Sequence, residues 1–288
     1  MMRLRDLGGV ASSAQLIAAG ATAEALTRGV RSGTMMRPRR GYYALPAADP
    51  MAVNAVRAGG RLSCLSAAAK YGLWAGRDPR LHVTVPAKST RLADPGVDVV
   101  RHWTTRSGGS EVWRVSVVDC LRSVVRCAPR EDAVAVLDTA VTSGLARLAD
   151  MASLVAGEPA WTAGVFARAR PGSDSGIESI VRQRLTEGGH VVEQQVHVAG
   201  VGRVDLRVGG RLLVEIDGYA FHSDRGAFER DRHRDAELAR RGLRVLRFSA
   251  AQVLDSWRQV EAAIDRAVTD PEVRYDTPLR TQQLRSLA

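Results

Sequence analysis

Residues 203–217 read RVDLRVGGRLLVEID, two runs of alternating apolar and polar residues on either side of Gly209-Gly210. No other stretch limits the fold as tightly. Alternation with period two marks a half-buried strand, and a glycine pair between two such runs is hairpin chemistry. Residues i and i+2 of a strand share a face, so Glu215 and Asp217 point the same way. Loop length decides whether Asp205 joins them. A two-residue loop, Gly209-Gly210, pairs Asp205 with Val214 and turns it away from both acids. A three-residue loop, Gly209 to Arg211, sets Asp205 opposite Glu215 and Arg203 opposite Asp217. Both loops are common in hairpins.

Like charges on one sheet face destabilise it unless something positive lies between them. A divalent cation reverses the sign. Mg²⁺ or Mn²⁺ takes hard oxygen ligands from one or two carboxylates plus water and phosphate, and it polarises a scissile phosphate and activates water. On this reading Asp205, Glu215 and Asp217 are metal ligands. The plain alternatives are turn chemistry for Asp217-Gly218 and, for Glu215, an exposed strand acid balanced by Arg203.

The sequence on either side holds three further candidates. Ser175-Gly-Ile-Glu178 matches a capping box, and Glu178 equally suits projection toward the acidic sheet face. His222, just past the acidic strand, is placed to donate to a phosphate or leaving group or to shuttle a proton. Arg234, in the DRHRD run, suits contact with phosphate, although most such charge runs are solvated faces, as His233 there is read to be.

The helix IESIVRQRL, the strands VVEQQVHV, RVDLRV and RLLVEID, a long helix ending at Gly242, the strand LRVLRF and a last helix over 251–268 give the order α-β-β-β-α-β-α. That is an α/β sandwich around a mixed sheet, covering 171–270. A Pro-, Arg- and Gln-rich tail, 271–288, is expected to be loosely ordered.

The N-terminal 48 residues read differently. Three short helices end at Gly8-Gly9, Gly20 and Gly33, with Ser12-Ser13 and Thr22 at helix starts, and MMRPRRGYYALP follows as a small hairpin turning around Pro38–Gly41. This is the outline of a winged helix-turn-helix, whose third helix presents Thr27, Arg28 and Arg31 to a major groove and whose hairpin brings Arg39 and Arg40 to phosphates. The alternative is a helical subdomain with solvated arginines.

Residues 49–170 mix helices with the strands LHVTVP and VDVVRHW and read as an α+β connecting or interaction domain. Asp132 and Asp138 look like first-turn and surface charges there, and His82 and His102 lack further ligands at metal-site spacing. Cys64, Cys120 and Cys127 form no CxxC pair and read as buried thiols of a reducing cytosol, neither a disulfide framework nor a zinc site. With no 18-residue apolar run and no signal-peptide core in MMRLRDLGG, a cytoplasmic protein without membrane partners is expected.

Charge is unevenly placed. Residues 1–48 carry 7 basic and 2 acidic side chains, 49–171 carry 16 and 11, and 172–270 carry 15 and 16, so the first two segments are each +5 and the third −1. DNA is the natural partner for such basic segments. Arginine makes up 39 of the 41 basic residues, which an arginine-rich proteome would also give.

Residues 174–268 resemble the PD-(D/E)XK nuclease superfamily, in the branch similar to very-short-patch repair endonucleases. The resemblance rests on Glu178, Asp205 in RVDL, Glu215 and Asp217 in VEIDG, His222 in YAFH, the DRHRD helix and LRVLRF. It implies a restriction-endonuclease-like fold and metal-dependent phosphodiester hydrolysis, with Asp205 and Glu215 as metal ligands and Glu178 as a helper. The superfamily's lysine, two residues after the glutamate, is Asp217 here, and no lysine follows Lys88. The related branch also lacks that lysine and is thought to use histidine, which points to His222.

Residues 1–48 resemble the N-terminal winged-helix domain of AbiEi-type antitoxins, through ASSAQLIAAGATAEALTRGVRSGTMMRPRRGYYALP; LHVTVP and PREDAVAVLDTAVTSG extend the likeness. In that family the winged helix binds promoter DNA and represses its own operon. Two functions are therefore expected to compete. The first is a DNA endonuclease or nickase using Mg²⁺ or Mn²⁺, with Asp217 binding a second metal or orienting water. The second is a non-enzymatic regulator or antitoxin on an inactive nuclease fold. A cognate protein partner or self-association is left open.

Overall fold

The computed structural model describes residues 2–90, 92–106, 109, 111–217 and 225–270. His222 and the tail 271–288 lie outside these residues. The chain divides into two compact units, Met1–Pro171 and Gly172–Ala288. Both mix helices and sheet.

The first unit begins with α1 (Met2–Asp6), β1 (Val10–Ser12), α2 (Ser13–Ala18), α3 (Ala23–Arg31), β2 (Met36–Arg39) and β3 (Tyr42–Ala44). Local chemistry sets these bounds. Ser12 and Gln15 form a reciprocal capping box at the start of α2, and Thr22 accepts the amide of Ala25 at the start of α3. Gly20 and Gly33, at φ +91° and +71°, take the left-handed turns that end them. The hairpin turn is tighter than the Pro38–Gly41 expectation, because Arg39 pairs with Tyr42 and only Arg40 and Gly41 lie between. Pro38 instead sits in β2 beside a register shift, where a residue with no N–H is tolerated. The short strand β1 was not legible in the sequence; it pairs with β3 to make a three-stranded sheet, β1-β3-β2.

The unit continues with α4 (Pro50–Arg57), β4 (Arg61–Leu62), α5 (Cys64–Lys70), β5 (Leu81–Pro86), β6 (Val99–Thr104), α6 (Val117–Cys127), α7 (Arg130–Thr142), α8 (Met151–Leu154) and α9 (Ala163–Phe166). β5 lies antiparallel to β4 and parallel to β6. One apolar core runs from Val10 and Ala44 into α4, α5, α6 and α7, and the Trp113 indole N–H donates to the carbonyl of Leu7 at 3.1 Å. Residues 1–48 thus add Val10 and Ala44 to the core of the segment that follows, while Leu4, Ala11, Leu16 and Leu26 form a smaller cluster of their own. α7 is buried on all faces from Ala133 to Ala140, Asp138 included. Asp138 is therefore no surface charge: its carboxylate accepts the amide of Arg170 at 2.7 Å, satisfying a group that would otherwise be costly to bury. Asp132 accepts the Trp74 indole N–H at 2.7 Å.

The second unit holds α10 (Gly176–Glu187), β7 (Val192–Val198), β8 (Gly202–Val208), β9 (Leu212–Asp217), α11 (Arg225–Arg240), β10 (Val245–Ser249), α12 (Ala250–Asp255) and α13 (Trp257–Thr269). Its strands form one mixed sheet in the order β10-β9-β8-β7, antiparallel except for β10, which joins β9 in parallel after the α11 crossover. The last helix breaks in two at Ser256, which leaves helical geometry at φ −137°, ψ 36°. Val208 pairs with Leu212, so the β8–β9 loop is the three-residue one, with Gly209 and Gly210 at φ +60° and +71°. That register is the one that gathers the acids.

Candidate functional site

The first turn of α10 delivers one carboxylate. Ser175 Oγ accepts the amide of Glu178 at 3.2 Å and fixes the helix start. Glu178 folds back so that Oε2 accepts the amide of Asp174, one residue before the cap, at 2.9 Å. The same oxygen accepts Gln195 Nε2 at 3.1 Å, and the side chain is buried. Cap and sheet-facing group are one arrangement, not rivals. Gln195 has φ +50° within β7, a strained conformation for a side-chain-bearing residue that costs about 1–3 kcal/mol. Its Oε1 is buried and accepts no hydrogen bond among the described residues.

β8 and β9 deliver two more. Their ladder runs Val208↔Leu212, Arg207↔Leu213, Leu206↔Val214, and the next pair in that register is Asp205 and Glu215. There the ladder gives way to a side-chain bond, with the Ile216 amide donating to Asp205 Oδ2 at 2.8 Å. Glu215 is buried, not exposed, and Arg203 does not balance it. Arg203 pairs with Asp174 instead. Two other guanidinium groups hold Glu215: Arg234 of α11 meets Oε1, and Arg247 Nε of β10 donates to Oε2 at 2.8 Å. Arg247 also pairs with Asp235.

Arg247 and Gln195 are the residues that sequence reasoning missed. Arg247 pairs with Glu215 across the parallel β9–β10 ladder, 32 positions away, and strand alternation alone does not name a partner at that distance. The register between LRVLRF and VEIDG would have found it. Gln195 carries no signal beyond its place in a strand.

Burial and mutual repulsion both act on these acids. Burial raises the pKa of Glu178 first, and the charge of Asp205 adds to it against the Ser175 bond. Asp205 is likewise raised, by burial first and by Glu215 next, while the Ile216 amide and Arg234 and Arg203 pull the other way. Burial disfavours the Arg247 guanidinium, but Asp235 and Glu215 outweigh it and its pKa rises. Glu178, Asp205 and Glu215 therefore form one chain of interacting carboxylates, neutralised at the Glu215 end and under-neutralised at the other.

Asp217 ends β9 exposed, opposite Ser249 of β10, with no ion pair among the described residues. Arg234 is committed to Glu215 and to the Arg203 carbonyl rather than free for phosphate. In the first unit Thr27, Arg28 and Arg31 lie exposed on α3, and Arg39 and Arg40 are exposed at the hairpin. A cavity of about 470 Å³ also belongs to the first unit. Arginines line it, but Arg106, Arg122 and Arg126 are already paired with the buried Glu158.

The donor set suits a hard divalent cation. Glu178, Asp205 and the unsatisfied Gln195 Oε1 are oxygen donors in a region short of positive charge. Among the described residues these acids do not form a closed ligand cluster. That matches a cation of the Mg²⁺ class, which takes one or two carboxylates and completes its shell with water and phosphate. Glu215 joins such a shell only by releasing an arginine.

Comparison with known proteins divides the chain in the same way. Residues 177–273 match the model of a restriction-endonuclease-like family, REase_MTES_1575. Residues 1–46 match a family described as "Transcriptional regulator, AbiEi antitoxin". No curated protein matches the chain. Among solved structures the chain is similar to the RV2827C protein from Mycobacterium tuberculosis, at 19% identity over 62% of this chain and 78% of that one, with a TM-score of 0.30.

Proposed function

We propose that this protein is a DNA endonuclease or nickase whose second unit cleaves phosphodiester bonds with a divalent cation of the Mg²⁺ or Mn²⁺ class. The observation that carries the reading is the Glu178–Asp205–Glu215 chain, three carboxylates brought together from a helix start and two strands, two of them held against their own ionisation. A fold keeps such a group at a cost in stability, and a cation relieves it. The restriction-endonuclease-like match over these residues supports the same chemistry.

Asp205 and Glu215 would hold the cation, with Glu178 completing the shell. When bound, the cation supplies Lewis-acid polarisation of a phosphodiester and a water acidic enough to attack it. The chain's own residues do the rest. Gln195 and the Asp174 amide orient Glu178 through Oε2. The Ile216 amide fixes Asp205 in the same way. Arg247, tied to Asp235, sets the position of Glu215, and Arg234 is the cation best placed to exchange that carboxylate for a phosphate oxygen. Asp217 would orient water or help hold a second cation, and His222, outside the described residues, would move the proton. DNA is held by the first unit, read as a winged helix, through Thr27, Arg28 and Arg31 on α3 and Arg39 and Arg40 at the wing. The AbiEi match at 1–46 supports this assignment.

One observation favours a second reading. Both oxygens of Glu215 are already paired with arginines, and an aspartate stands where the nuclease superfamily has lysine. A DNA-binding regulator built on an inactive nuclease fold would look like this. Cleavage of supercoiled plasmid and of a single-stranded oligonucleotide, with Mg²⁺ and with Mn²⁺, separates the two. Wild type is expected to nick or cut, with Asp205→Ala and Glu215→Ala each slower by at least about 100-fold. DNA binding without cleavage by all three proteins leaves the regulator.

A further inference from the structure

A second cluster of ligand-type side chains lies in the first unit, far in character from the carboxylates. His82 of β5 and His102 of β6 share one sheet face, because Thr84 pairs with His102 and lies two residues from His82. Their rings stack with centroids 5.6 Å apart and planes at 22°. Cys64 opens α5 and Cys127 closes α6. One ligand atom from each of Cys64, His82, His102 and Cys127 falls within 4.8 Å of all the others. Cys64 and His82 are buried, but Cys127 lies at the solvent edge and is not the buried thiol expected from its helical context.

Cys127 hydrogen-bonds Cys64, His102 and His82, but mutual hydrogen bonding alone accounts for the group poorly. His82 Nδ1 faces His102 Nε2 at 3.3 Å and Cys127 Sγ at 3.7 Å, two long contacts converging on one nitrogen. Tetrahedral zinc does explain them. Zn–N bonds of about 2.0–2.1 Å and Zn–S bonds of about 2.3 Å give ligand–ligand edges of about 3.3 Å between nitrogens and about 3.6 Å between nitrogen and sulfur. Both contacts fit those edges.

Two independent features point the same way. His82 Nε2 lies 3.2 Å from Asp78 Oδ2, and Asp78 is held by Arg80 Nε at 2.9 Å. A histidine ligand donates its other N–H to such a carboxylate, which fixes the tautomer and turns the Nδ1 lone pair into the cluster. Cys64 has φ +48°, a left-handed backbone at a residue with a side chain, and strain of this kind persists where its surroundings over-determine it.

We infer that Cys64, His82, His102 and Cys127 form a structural Zn²⁺ site that ties the β5–β6 face to the start of α5 and the end of α6. Two thiolates and two imidazoles select a borderline-soft metal over Mg²⁺, and four protein ligands close the site as in structural zinc centres. The spacing hid it. The four ligands are 18, 20 and 25 positions apart, so no short Cys-x-x-Cys or His-x-x-x-His signature exists, and the fold assembles the site from four elements.

The test is metal analysis of full-length protein purified without chelator or affinity metal. About one zinc per chain is expected, retained in Asp205→Ala and lost in the Cys64→Ser/Cys127→Ser double variant. A second measurement uses wild type alone and does not depend on the variant folding. Apo protein titrated with Co²⁺ is expected to develop tetrahedral d–d bands with thiolate charge transfer, saturating at about one equivalent. Stripping the zinc is expected to lower the melting temperature of the first unit by about 10 °C, with recovery on re-addition. A zinc-free wild type that gives no cobalt bands overturns the site, as does zinc retained at full content in the double variant. A Cys64–Cys127 disulfide in freshly isolated protein overturns it too, because the cysteines are then a redox pair.

Discussion

At the scale of single residues, Asp205 carries the most testable physics. Its folded-state pKa is raised by burial and by Glu215, so its ionised form is worse placed in the fold than in the unfolded chain. The sign follows from linkage. A raised carboxyl contributes stability that is full below the unfolded value, about 3.9, and is lost as pH rises through the folded value. Asp205→Asn keeps an oxygen for the Ile216 amide and cannot ionise. It is expected to melt higher than wild type at pH 7–8 without metal, with the difference vanishing as pH falls toward about 4. Added Mn²⁺ is expected to stabilise wild type and not the variant. Differential scanning fluorimetry across pH reads both effects, and a variant less stable than wild type at every pH would remove the repulsion argument. The acids themselves were legible as candidates, since strand alternation puts Glu215 and Asp217 on one face, but the face of Asp205 waited on the three-residue loop that the Val208–Leu212 pair defines. Arg234, Arg247, Gln195 and the Cys–His cluster were not legible in these roles, since each acts through partners set by strand pairing or helix packing rather than by spacing along the chain.

At the scale of elements, the first turn of α10 links local helix chemistry to the site. Ser175 caps the helix, and the capped turn is what brings Glu178 back over Asp174 and toward Gln195. Ser175→Ala is expected to cost about 1 kcal/mol, a typical loss for an N-cap, and to lower cleavage more than stability because Glu178 loses its anchor. Ser175→Thr is expected to restore both. Chemical denaturation alongside plasmid nicking checks the pair, and equal activity in all three proteins would make Glu178 a purely structural cap. Helices with strong end signals read correctly from sequence, as with Ser12, Thr22 and the glycines that follow α2 and α3. The three-residue strand β1 and the break at Ser256 did not, because pairing across the chain makes the first, and the helix-start residue Ser256 sits inside an otherwise continuous helical pattern.

At the scale of the whole molecule, charge and chemistry are separated along the chain. Residues 1–171 carry 23 basic and 13 acidic side chains, +10, against 15 and 16, −1, over 172–270. Helix and turn patterns alone set residues 1–48 apart from the segment that follows, yet Val10 and Ala44 lie in the same core as α4 to α7, and both basic segments fall in one compact unit. On the proposed reading, a near-neutral second unit with an acidic site repels phosphate, and affinity for DNA would come from the first unit. Each phosphate contact removed lowers the slope of log affinity against log salt by about 0.9 on duplex DNA. Arg28→Ala with Arg31→Ala is therefore expected to weaken DNA binding and to flatten that slope by about 2, while Mn²⁺ binding to the second unit stays unchanged. Asp205→Ala is expected to do the reverse, abolishing metal binding and leaving the slope intact. Fluorescence anisotropy over a salt series and calorimetry with Mn²⁺ read the two halves separately. An unchanged slope in the double arginine variant would take α3 out of the DNA contact and leave the remaining arginines of the first unit to supply it.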